Sequence, residues 1–146
     1  MTQQRLTSDS DLRAAPAVCV AALPNISVEY MYRDASNYKC YEIVSFSNSR
    51  RINVAEIWRQ LHEALEGVML FSEQPIFRPE WVGLPTAFLF EQPGYSRNAD
   101  DHDWHEVISV EETDNPPTLS ESSDIANFID ALRRTHTESV WGNKRI

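Results

Sequence analysis

Val54, Ile57, Trp58, Leu61 and Leu65 recur at the i, i+3, i+4, i+7, i+11 spacing of a single apolar stripe, and that stripe constrains the chain more than any other feature. Asn53 stands where an N-cap belongs, Glu56 follows three residues later as in a capping box, and Gly67 stands where a C-terminal cap belongs. Arg59 and Glu63 pair four apart on the far side, while His62 lies beside the stripe as an ordinary helix histidine. A helix apolar on one side only must bury that side against another layer. The flanking sequence supplies strands for that layer. Val28, Tyr30 and Tyr32 alternate with Glu29, Met31 and Arg33, and Tyr38 to Phe46 is rich in aromatic and β-branched residues. The turn formers Asp34 to Asn37 between them predict a hairpin.

Beyond the helix, Val68 to Phe71 reads as a short strand, and Pro75, Pro79, Pro85 and Pro93 forbid a long helix before Gly94. Trp81, Val82, Leu84, Phe88, Leu89 and Phe90 make this stretch too apolar for a solvated loop, so it is expected to pack over the core. Trp104 to Glu111 alternates again, which puts Trp104, Glu106, Ile108 and Val110 on one face and His105, Val107 and Ser109 on the other. After the break at Asp114 to Pro117, Ser122 or Ser123 is expected to cap a second helix, with Ile125, Phe128, Ile129 and Leu132 as its stripe. Arg133 and Arg134 suit its C-terminal end, near Thr137, and Ser139 to Ile146 is a tail. Strand, strand, helix, strand and helix make an α+β order: a small, mainly antiparallel sheet with two helices packed against it. Residues 1–25 read as an N-terminal extension and residues 26–146 as one α+β domain.

Composition bounds the chemistry. With 4 glycines in 146 residues, the chain holds no glycine-rich phosphate loop, no dinucleotide fingerprint and no nucleophile elbow. The formal net charge is −9, which disfavours direct nucleic-acid binding. The negative charge is concentrated in Asn98 to Leu132, where Asp100, Asp101, Asp103, Glu106, Glu111, Glu112, Asp114, Glu121, Asp124 and Asp130 stand without a single Lys or Arg. No apolar run approaches a membrane span. Ala14 to Leu23 lacks the basic leading region of a secretory signal, so cytoplasmic residence with Cys19 and Cys40 as free thiols is expected.

Two polar clusters carry whatever chemistry the chain has. Arg33, Asn37 and Lys39 offer donors to an anionic or carbonyl group around the turn, with Tyr38 as a flat contact. The run Asp100 to Glu106 is dense in acid/base groups: His102, His105 and Asp101 are candidate metal ligands, with Glu106 as a further oxygen ligand or base. A strand from Trp104 onward would send His105 and Glu106 to opposite faces. Ser36, His102 and Asp34 compose a nucleophilic triad in residue type only.

The run Tyr32 to Lys39 (YRDASNYK), followed by Val82 to Pro85 (VGLP) and by Asp101 to Glu106 (DHDWHE), resembles a family of small uncharacterised bacterial proteins carrying YRDASNYK, VGLP and DHxWHE signatures. The likeness covers Ile26 to Asp114, and it implies a bacterial source and one compact unit without assigning catalytic residues. Two functions are then expected. The favoured one is a cofactor-free, non-enzymatic interaction module of inhibitor, immunity or adaptor type, in which Asp100, Asp101, Asp103, Arg33, Asn37 and Lys39 contact another protein's basic surface. The alternative is a small metal-assisted hydrolase using His102, His105, Asp101 and Glu106 with a divalent metal.

Overall fold

The computed structural model describes residues 23–66, 74–120 and 123–145, with the backbone alone for 137–145. The expected extension, apart from Leu23 to Asn25, lies outside the described residues, as do the Gly67 cap, the 68–71 strand and Ser122. Four strands, β1 (Asn25–Arg33), β2 (Lys39–Ser47), β3 (Ile76–Phe77) and β4 (His105–Thr113), form one antiparallel sheet in the order β2-β1-β4-β3. Two helices, α1 (Val54–Ala64) and α2 (Ile125–Arg145), complete the expected α+β architecture.

The period-2 pattern of β1 sorts its side chains. Ile26, Val28, Tyr30 and Tyr32 turn to the helices and are fully buried. Against them pack Val44 and Phe46 of β2, Ile57 and Leu61 of α1, and Ile125, Phe128, Ile129 and Leu132 of α2. Phe46 and Phe128 stack with ring centroids 4.7 Å apart, tying the sheet edge to the second helix. Asp34 builds the hairpin turn by accepting the Ser36 and Tyr38 amides at 3.0 and 2.9 Å, with Asn37 in the left-handed region at φ 72.

Helix α1 begins as expected, with Asn53 Oδ1 accepting the Glu56 amide at 2.8 Å. The reciprocal half of the capping box does not form. Glu56 instead accepts from Arg59 at 2.9 and 2.6 Å and from Gln60 at 2.9 Å, which outcompetes a return to the cap and leaves Arg59 only a 3.9 Å contact with Glu63.

Helix α2 departs from expectation at both ends. Its cap is Asp124, whose Oδ2 accepts the Ala126 amide at 3.1 Å, rather than Ser122 or Ser123. Its backbone stays helical to Arg145, through most of the expected tail. Asp124 does double duty, since its Oδ1 also accepts from Ser47 Oγ at 2.9 Å and from the Ser49 amide at 2.8 Å. These three donors hold its carboxyl below the ordinary range even though burial opposes the shift.

The proline-rich stretch packs over the core as expected. Phe77 is fully buried and meets Tyr30 edge-on at 5.1 Å, while Phe88 and Ala87 enclose Tyr32.

Strand β4 corrects one reading of the sequence. Glu29 pairs with Ser109 but Tyr30 pairs with Val107, so Ile108 is an extra residue in a β-bulge. The bulge resets the alternation, placing His105 and Val107 before it and Val110 after it on the core side. Trp104, Glu106, Ile108 and Val110 therefore do not share a face.

Because Asp124 both caps α2 and ties the β2 edge, Asp124→Ala is expected to cost more than Asn53→Ala, which removes only a cap worth about 1 kcal/mol. Urea midpoints of the two variants at constant m-value check this; equal shifts would show that the tie to Ser47 and Ser49 contributes nothing.

Candidate functional site

Strand β1 delivers Tyr32 and Arg33 to the end of the sheet where the chain enters β4, so the two polar clusters meet. The Ala35 amide donates to the Asp100 carbonyl at 3.0 Å, and Ser36 Oγ donates to Asp100 Oδ2 at 2.7 Å. The Tyr32 hydroxyl donates to Asp101, whose other oxygen takes the Asn98 amide at 2.8 Å. The same hydroxyl accepts the His102 amide at 3.3 Å. His102 Nδ1 accepts the Trp104 amide at 3.0 Å, which leaves Nε2 to donate to the Arg33 carbonyl at 2.7 Å. Arg33 then closes on Glu106 in a bidentate pair at 2.9 and 2.7 Å, and donates to Asn37 Oδ1 at 3.1 Å.

The Val82 to Pro85 run joins the same structure. Gly83 takes φ 77, where a side chain would be strained, and the turn presents the Pro85 carbonyl to the Tyr30 hydroxyl at 2.5 Å. Two residues on, the Ala87 amide donates to His105 Nε2 at 2.9 Å, inside the core.

Electrostatics follow the bonding. The Tyr32 hydroxyl, with the Asn98 amide behind it, holds Asp101 below the usual carboxylate range, and burial above all pushes Tyr32 upward. Glu106 raises Arg33 further. Burial pushes His105 down to about 4, and its Nδ1 has no hydrogen-bond partner among the described residues. His136, which accepts the Arg78 amide on Nε2 at 2.8 Å, is also pushed to about 4 by burial.

The metal arrangement does not assemble. His105 is fully buried on the core face while Glu106 lies on the opposite face, and both ring nitrogens of His102 are taken by backbone groups. Among the described residues no three His, Cys, Asp or Glu side chains converge as metal ligands, so His102, His105, Asp101 and Glu106 are not one centre. The Ser36, His102 and Asp34 combination fails equally, since Ser36 Oγ is bonded to Asp100 and His102 to Arg33.

Of the residues expected to touch a partner, most are turned inward on each other. Asp100, Asp101, Arg33 and Asn37 belong to the network above, and Asp103 pairs with Arg97 at 3.1 Å and Arg78 at 3.5 Å. Lys39 is exposed at the hairpin. Beside the network opens a cavity of about 470 Å³, lined by Ile76 and Trp104 together with Arg33, Asp34, Ala35, His102 and Glu106. Sequence reasoning missed Ile76, because a two-residue strand between prolines carries no periodicity to read.

The sheet face away from the helices is the other exposed feature. It carries Glu29 from β1, Glu111 from β4, and Tyr41 and Ile43 of β2, the last two 56% and 55% exposed. No family model, curated protein or solved structure matches this chain.

Two outcomes follow from the buried groups. In the unfolded chain His105 and His136 take up protons near the ordinary value of 6.5, but in the fold only near 4, so the unfolded state binds more protons across that window. Stability is therefore full above pH ~6.5 and falls towards pH ~4, by at most about 2.7 kcal/mol per pH unit while both groups contribute. Urea midpoints against pH check this, and His136→Gln should halve the slope. Separately, Tyr32→Phe strips Asp101 and the His102 amide of their shared partner and is expected to destabilise by about 1–3 kcal/mol. A double-mutant cycle with Asp101→Asn measures the coupling; additive losses would mean that the Tyr32–Asp101 bond contributes no energy of its own.

Proposed function

We propose that this chain is a non-enzymatic protein-interaction module, of inhibitor, immunity or adaptor type, that binds a basic surface on another protein. One observation carries the reading: most side chains of the two polar clusters are engaged by other groups of the fold, while acids on the open sheet face have no basic partner among the described residues. On that face Glu111 is exposed and Glu29 has only the Ser109 hydroxyl at 3.5 Å, and Asp114, just past the end of β4, is exposed as well. Beside them stand exposed Tyr41 and Ile43, giving the mixture of apolar anchor and polar rim that protein interfaces use. The contact surface thus moves from Asp100, Asp101 and Asp103 to Glu29, Glu111 and Asp114.

The resemblance to small bacterial proteins with the same three signatures fits this reading, since the signatures interlock into one unit whose polar groups support each other. No helix among the described residues is long and apolar enough to cross a membrane. Cytoplasmic residence belongs to the same proposal.

The test is affinity capture from host-cell extract with the wild-type chain and with Glu29→Gln/Glu111→Gln/Asp114→Asn. A basic protein retained at low salt, released as salt screens exposed charge, and bound about tenfold more weakly by the triple variant is the expected result. Retention indifferent both to salt and to the three neutralisations would overturn the reading.

A further inference from the structure

The cavity beside the network of Tyr32, Arg33, Asp101, His102 and Glu106 has a composition that selects its occupant. Ile76 and Trp104 give it an apolar side, and the remaining lining is Arg33, Asp34, Glu106, Ala35 and His102, the last with both ring nitrogens bonded to backbone. Arg33 is its only cation, and that charge is cancelled by Glu106 through two hydrogen bonds at 2.9 and 2.7 Å. Asn37 takes one N–H of the third guanidinium nitrogen at 3.1 Å, so three of the five donors are used and the charge itself is already paired. Asp34 adds a second carboxylate. Its Oδ1 holds the turn amides of Ser36 and Tyr38, while Oδ2 has no hydrogen-bond partner among the described residues. Both Glu106 oxygens retain a further acceptor site, and its side chain is 14% exposed against 39% for Arg33. The lining therefore carries a carboxylate in excess beside an apolar wall, in a volume of about 470 Å³.

We propose that this cavity takes a lysine or arginine side chain from the partner's basic surface, its methylenes along Ile76 and Trp104 and its cationic head at Asp34 and Glu106. The inference rests on the reading of the chain as a binder of basic protein surface and names a residue type that such a surface must present. A long side chain with an apolar stem and a cationic tip matches a site divided in the same way. The indole of Trp104 adds a face that attracts a cation. An acidic occupant would meet Asp34 unscreened, and a wholly apolar one would strip water from two carboxylates without replacing its hydrogen bonds.

The probes are the capped amides Nα-acetyl-lysine, Nα-acetyl-arginine, Nα-acetyl-norleucine and Nα-acetyl-glutamate N-methylamide, titrated into the isotope-labelled full chain and followed at the Trp104 indole N–H. The two basic probes are expected to shift that resonance saturably, and norleucine, of similar stem length, to bind about fivefold more weakly. Asp34→Asn keeps Oδ1 for the turn amides, so it leaves the hairpin intact and is expected to weaken the basic probes about fivefold. Norleucine binding as tightly as lysine, tighter binding of the glutamate probe, or basic-probe shifts that bypass Trp104 would each overturn the proposal. Capture assays separate the two readings. Partner retention that falls in Glu29→Gln/Glu111→Gln/Asp114→Asn yet is untouched by Asp34→Asn would sink the cavity assignment and leave the interaction module standing. Saturable lysine-probe binding without any salt-sensitive protein retention would do the reverse.

Discussion

Two tyrosines on one face of β1 set the terms for the rest of the molecule. Tyr30 and Tyr32 are both fully buried among apolar neighbours, where an unpartnered hydroxyl would cost on the order of 1–3 kcal/mol. Each hydroxyl therefore has to reach a polar group at the margin of the core. Tyr30 finds the Pro85 carbonyl and Tyr32 finds Asp101. Those partners sit in two segments that lack regular structure of their own, so satisfying the tyrosines is what places the segments. Once Asp101 is fixed, Asp100 lies against the hairpin turn and His102 against the Arg33 carbonyl. Once Pro85 is fixed, Ala87 lies over His105 and Phe88 over Tyr32.

The same logic decides what the polar signatures are for. A dense run of Asp, His, Arg and Ser looks like an active site when only residue types are visible. Here Tyr32, Arg33, Asp34, Ser36, Asp100, Asp101, His102 and Glu106 are engaged within the two runs, while Asp103 and His105 are held by groups outside them. A network so heavily interlocked rigidifies, and breaking into it to bind a metal or activate a nucleophile would cost the bonds that hold the two runs together. On the proposed reading, binding falls to surfaces the network leaves open, namely the far sheet face and the cavity along its edge.

The elements that were legible in the sequence are those whose cause is local. The α1 stripe with its Asn53 cap and the β1–β2 hairpin around Asp34 are written in contiguous residues, and both formed where expected. The second helix was legible as a stripe, but its cap was not. Asp124 outranks the neighbouring serines because Ser47 and Ser49, far away in sequence, also need its carboxylate. Strand β4 was legible as a strand and misread in its faces, since the bulge at Ile108 arises from pairing with β1 and leaves no mark on the alternation. His105 shows the same limit. Its burial depends on an amide from Ala87, and nothing within its own strand distinguishes it from a surface histidine.

Charge is where sequence and structure part most instructively. Counted along the chain, Asn98 to Leu132 is one acidic block, and each carboxylate in it weighs the same. In three dimensions the block divides by what each acid faces. Glu106 is neutralised by Arg33, while Asp101 and Asp124 are solvated by neutral donors, a tyrosine hydroxyl and a helix end among them. Asp103 and Asp130 are likewise answered by Arg78, Arg97 and Arg133. A balanced carboxylate projects little field beyond its own partner and has no incentive to exchange it for one on another molecule. Glu111 and Asp114, exposed and unanswered among the described residues, retain theirs. The acids whose side chains stand free for a partner are thus fewer than the acidic block suggests. Glu111 lies about five residues of strand beyond Glu106, the end of the cluster that the sequence brings to notice, roughly 16 Å at 3.3 Å per residue. A partner surface complementary to both the open acids and the cavity must therefore extend along the strand direction, with its apolar contacts over Tyr41 and Ile43 between the two.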